Sequence, residues 1–130
     1  MTRFNRTILL GGVLCVLMAL PALAADPSVT KSVLSTDDGS TVVVVLRVSA
    51  ASKAVYGITV SDGSASVEDI VAPEGWVGIA TDNMVMFRTV DTPIASGKAL
   101  SFRIVTKNSE ATLGVTFRDQ KSAFGSKKDV

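Results

Sequence analysis

From Ser28 onward the apolar residues of this 130-residue chain recur at every second position, in short runs separated by turn residues. Period two puts alternate side chains on opposite faces of an extended chain, so each run reads as a strand with one face turned inward. The clearest run is 41–50. Val42, Val44, Leu46 and Val48 share one face, and Thr41, Val43, Val45, Arg47 and Ser49 share the other. Val43 and Val45 make this second face partly apolar too. It is therefore either a contact surface or the second covered face of a central strand.

The same alternation gives expected strands over 28–36, 54–61, 64–71, 76–80, 84–90, 98–106 and 111–118. Turn chemistry separates them: Asp38-Gly39 and Asp62-Gly63 carry the hairpin dipeptide, Pro73-Glu74-Gly75 pairs proline with glycine, and Pro93 and Gly97 bound a loop. Gly57 lies inside a run, where a bulge is one reason for a glycine. Many short strands with regular turn signals and no helical spacing beyond the N-terminal segment make an all-β fold. The expectation is an antiparallel β-sandwich of about eight strands, Ig-like or cohesin/jelly-roll-like in topology, spanning residues 25–120 with a polar tail at 121–130. Its expected core is Val42, Val44, Leu46, Val48, Tyr56, Ile58, Val60, Val85, Phe87, Leu100, Phe102, Ile104, Leu113, Val115 and Phe117. In the tail only Phe124 is a large apolar anchor.

The first 24 residues are read separately. Arg3 and Arg6 make a basic start, residues 8–20 form an uncharged apolar run, and Ala22-x-Ala24 is a small-residue cleavage pattern. A bilayer-spanning helix needs about 20 apolar residues, and this run is shorter, holds Gly11-Gly12 and ends at Pro21. The expectation is a signal peptide at 1–24, cut after Ala24, and a secreted or periplasmic product without stable membrane insertion. Cys15 sits mid-run behind Leu14, which does not fit a lipoprotein site. Cleavage removes Cys15, the only cysteine, so no internal disulfide is left. It also removes two arginines and no acid, taking the formal charge from +1 to −1. A near-neutral chain without a basic cluster argues against nucleic acid as a partner.

The chain has no histidine. That excludes Ser-His-Asp and Cys-His catalysis, histidine acid–base chemistry and nearly every zinc or copper site. Asp37, Asp38, Asp62, Asp69 and Asp82 fall in or near turns but never as the alternating run of a calcium loop. Glu68 with Asp69, or Glu74 with Asp91, are the carboxylate pairs a glycosidase would need, and nothing singles either out. Arg47, Arg88, Arg103 and Arg118 read as solubilising strand residues or as a basic stripe. No catalytic residue, metal or cofactor is expected. Trp76, the only tryptophan, is either a sugar-stacking platform or a core residue behind a Pro-x-Gly turn. The possible binding residues are Val43, Val45 and Trp76.

Ala72-Pro73-Glu74-Gly75-Trp76, Met84-Val85-Met86-Phe87-Arg88-Thr89 and Pro93-Ile94-Ala95-Ser96-Gly97-Lys98-Ala99-Leu100-Ser101-Phe102 together form a pattern. Across 72–102 it resembles small exported bacterial β-sandwich modules of the cohesin-like and immunoglobulin-like kinds. The resemblance implies an adhesion, scaffold or ligand-presenting module without catalysis. Two functions are therefore expected of this chain. One is an exported non-catalytic binding or structural module whose partner is another protein or an extracellular polymer. The alternative is a carbohydrate-binding module or small glycan-active protein.

Overall fold

The structure, a computed structural model, describes residues 26–61, 67–82, 84–107 and 112–130. The expected signal peptide and its cleavage point lie outside these residues, as does the Asp62-Gly63 turn. Nine strands form: β1 (Ser28–Ser35), β2 (Val42–Ser49), β3 (Gly57–Ser61), β4 (Val67–Val71), β5 (Trp76–Ala80), β6 (Met84–Thr89), β7 (Ala99–Thr106), β8 (Gly114–Arg118) and β9 (Ala123–Asp129). They pair as two antiparallel sheets, β1-β2-β7-β4 and β5-β6-β3-β8-β9. With the β5–β6 hairpin set aside, this is the immunoglobulin constant-type order, four strands facing three. The hairpin is an insertion between the fourth and fifth strands of that scheme, and it extends the second sheet beyond β3.

The alternation holds where it was clearest. Val42, Val44, Leu46 and Val48 are buried, and they meet Ile58, Val60, Val85, Phe87, Val115 and Phe117 from the other sheet in one core. Phe102 of β7 lies at its centre, with ring centroids 4.9 Å from Phe87 and 5.0 Å from Trp76. The β1–β2 turn is held by Asp38, whose Oδ1 accepts from the Thr36 hydroxyl and from the Ser40 N–H and hydroxyl.

Three expectations need correction. Residues 121–130 are not a tail. They supply β9, the ninth strand, which pairs with β8. Phe124 stands opposite Phe117, and Val130 and Leu113 exchange backbone hydrogen bonds of 2.8 Å. An exposed edge strand needs few apolar residues, so its sequence is polar. The lysines and the register shift in β8–β9 are the devices that keep an edge from pairing with another chain. The strand is also tied to the start of the domain: Asp26 accepts the Ser126 N–H at 3.1 Å and pairs with Lys128. Gly57 does not mark a bulge, since β3 is in continuous register with both neighbours. The third correction is Tyr56, which is half-buried and does not belong to the core cluster.

Candidate binding site

Trp76 is buried, at 7% exposure, and cannot serve as a stacking platform. The turn before it explains why. Gly75 has φ +83°, a conformation other residues rarely adopt, and a Cβ there would collide with Thr92. The Thr89 and Thr92 hydroxyls both donate to the Gly75 carbonyl, and the indole N–H donates to the Thr92 carbonyl at 3.0 Å. The turn therefore drives the ring inward, edge-on to Phe102. Val43 and Val45 lie on the outer face of β2, a central strand between β1 and β7. Both are half-buried. Leu34 stands opposite Val43, and Val71 is on the same face beyond Arg103, at 62% and 50% exposure. These two valines thus sit in an apolar patch on the outside of the four-stranded sheet. Trp76, on the inner face, does not join them.

The residue that sequence reasoning misplaced is the one that lines concave surface. Tyr56, Asp119 and Gln120 line two open grooves at one end of the sandwich. The first, of about 280 Å³, adds Lys53, Ala54 and Lys121. The second, of about 220 Å³, adds Arg88, Thr89 and Val90. Extending the Ile58–Val60 alternation backwards had put Tyr56 inside. However, β3 begins only at Gly57, and Val55 makes its own isolated bridge to Ile94. Tyr56 lies just before the strand, pinned by its N–H to the Arg118 carbonyl at 2.8 Å and by its carbonyl to the Thr89 N–H at 3.0 Å. The break at Ala51-Ser52-Lys53 just before it was the available signal that the strand phase ends here.

The walls are built by hydrogen bonding around Asp119. Its Oδ1 accepts the N–H groups of Lys121 and Ser122 at 2.7 and 2.8 Å, which shapes the β8–β9 turn. Its Oδ2 is 2.9 Å from the Lys53 ammonium. That ammonium also lies 4.8 Å over the Phe124 ring. The Lys53 hydrogen bond, then the two N–H groups, hold this carboxyl well below the usual carboxylate range. A general acid needs the opposite shift, with its proton retained near neutral pH. Among the described residues Asp119 is the one carboxylate lining either groove, and it is committed to structure. Among the described residues no cluster of three or more His, Cys, Asp or Glu is placed to hold a metal ion.

Arg88 and Arg118 flank the site from the strands on either side of β3. Both stand opposite Gly57 in the register. A Cβ at Gly57 would lie 3.5 Å from the Arg88 Cγ and 3.5 Å from the Arg118 Cβ, so the glycine is roofed by the two stems. An Arg118 amino group reaches the Lys121 carbonyl at 3.4 Å, while its buried Nε has no hydrogen-bond partner among the described residues.

No protein-family model matches the chain, and no curated protein does. The cohesin-like reading of 72–102 thus finds no family behind it. Among solved structures the chain is similar to the chitin-binding domain of a hyperthermophilic chitinase from Pyrococcus furiosus. The TM-score is 0.49 at 14% identity, over 76% of this chain and 92% of that one. At that depth the likeness is one of chain path, and no ligand or residue is carried across from it.

Proposed function

We propose that this chain is an exported, non-catalytic module that binds a polysaccharide at the two grooves around Tyr56. The observation that carries the reading is the grooves' composition: one half-buried aromatic residue beside an amide, a carboxylate, ammonium groups and a guanidinium. Sugars are bound by such sets, the ring meeting the C–H face and the polar groups meeting the hydroxyls. The saturated Asp119 and the absence of histidine support binding over catalysis. Export rests on the N-terminal pattern of the sequence.

The test is affinity electrophoresis of the protein in gels containing chitin-derived, cellulosic or uronic-acid polymers, with Tyr56→Ala beside it. At least one polymer should retard the protein, and Tyr56→Ala should migrate freely while unfolding at a similar temperature. Equal retardation of both proteins, or of neither, would refute the reading. A second reading, docking of another protein, is favoured by the apolar patch of Leu34, Val43, Val45 and Val71.

A further inference from the structure

We infer that the polysaccharide bound at Tyr56 is an anionic one, whose carboxylate or sulfate groups are taken by Arg88 and Lys121. This rests on the polysaccharide reading above and goes beyond it in naming the ligand's charge. The grooves are lined by three cations, Lys53, Lys121 and Arg88, against the single anion Asp119. Lys53 is consumed by Asp119, and Asp119 is consumed by Lys53 and two backbone N–H groups. Neither Arg88 nor Lys121 forms an ion pair among the described residues. Positive charge is thus gathered and left unneutralised at one end of a chain whose formal charge beyond residue 24 is −1.

The geometry gives this charge a direction. β6 and β8 flank β3, so the backbones of Arg88 and Arg118 are about 10 Å apart. Gly57 carries no side chain between them, and a Cβ there would be in van der Waals contact with both stems, at 3.5 Å from the Arg88 Cγ and 3.5 Å from the Arg118 Cβ. Arg118 also turns toward the Lys121 carbonyl, on the wall of the first groove. Its Nε is buried without a partner among the described residues, a cost that a nearby anion would reduce. Guanidinium groups match planar or tetrahedral oxyanions through paired N–H donors, which is why arginine suits them better than a neutral hydroxyl. A ligand ring at Tyr56 with an acidic substituent on either side would meet Lys121 in the first groove and Arg88 in the second.

The experiment compares retardation by polygalacturonate, dextran sulfate, and neutral dextran and chitin derivatives, each at low and high salt. The probes are the wild type, Arg88→Gln/Lys121→Gln and Tyr56→Ala. Near-ultraviolet circular dichroism checks that each variant keeps the packing around Trp76. The inference expects retardation by at least one anionic polymer and little by the neutral ones. That retardation should weaken as salt screens it, and by about tenfold or more in the double Gln variant. Polygalacturonate alone would assign a carboxylate ligand, and dextran sulfate alone a sulfated one. Preference for a neutral polymer, unchanged by Arg88→Gln/Lys121→Gln but lost in Tyr56→Ala, would overturn the anionic inference and leave the polysaccharide reading standing. Retardation by no polymer would remove both.

Discussion

Replacing Phe102 by alanine tests the centre of the sandwich. The ring is fully buried and is contributed by β7 of the four-stranded sheet. It meets Phe87 and Trp76 of the five-stranded sheet, with centroids 4.9 and 5.0 Å away. Truncation loses the transfer free energy of the ring and leaves a cavity that strands fixed by hydrogen bonds cannot close. Such losses run to about 3–5 kcal/mol. The two ring contacts, each worth about 0.5–1.5 kcal/mol, place Phe102→Ala toward the upper end of that range. Against a total stability of about 5–15 kcal/mol, the variant should be marginally folded at best. Phe102→Leu keeps most of the volume and loses the aromatic geometry, and should cost about 1.5 kcal/mol. Urea unfolding followed by the fluorescence of Trp76 reads the effect at the contact itself, with far-ultraviolet circular dichroism as the second probe. A loss below about 1 kcal/mol for Phe102→Ala would mean the sheets are not joined through this ring, and the packing described here would be wrong.

Val43→Lys/Val45→Lys should remain folded, because both side chains point out of the sandwich; an unfolded variant by circular dichroism would mean that face is covered. Deleting residues 123–130 uncovers Phe117 and the open ladder of β8, and should abolish cooperative thermal unfolding, whereas loss of a mere tail would leave it intact. Acid sensitivity should trace in part to Asp26, Asp38 and Asp119. Each is held below its ordinary value, Asp26 first by the Ser126 N–H, Asp38 (to about 2) first by the Ser40 N–H, and Asp119 first by Lys53. Their folded-state values are depressed, so the stabilisation is present above the ordinary carboxylate value near 4 and is lost as pH falls through the folded value. For Asp38 that window runs from about 4 down to about 2, and the melting-temperature gap between wild type and Asp38→Asn should close across it.

What the sequence disclosed followed the physics of each segment. Strands that bury one face write that face as an alternation, so β2, β7 and the inner positions of β6 and β8 could be read directly. Asp38-Gly39 and Pro73-Glu74-Gly75 could be read because their turns need those residues. β9 could not, since an edge strand that buries mainly Phe124 has the composition of a tail. Trp76 was ambiguous because one aromatic has no period. Its burial is decided by the Thr89 and Thr92 hydroxyls on the Gly75 carbonyl, a tertiary arrangement across sixteen residues of chain between Trp76 and Thr92. Tyr56 was misread for a related reason. Alternation predicts a face only while the strand lasts, and the isolated Val55–Ile94 bridge ends the phase one residue before it.

The inserted hairpin explains why a site arises at this end of the sandwich. In a plain immunoglobulin constant-type order β3 would be the edge of its sheet, with β8 on one side and solvent on the other. Placing β6 on that open edge fills it with Arg88, Thr89 and Val90, the residues that complete the second groove. The first groove is built on the opposite side of Tyr56 by the β8–β9 turn and by Lys53 from the segment between β2 and β3. The tyrosine is thus flanked on both sides only because the hairpin is there. The same placement sets Arg88 across from Arg118, with Gly57 between them. A Cβ at position 57 would press on the Phe87 carbonyl at 3.3 Å and touch both stems at 3.5 Å. The hairpin therefore brings the second arginine alongside β3, and the glycine keeps the space between the two stems free of a side chain.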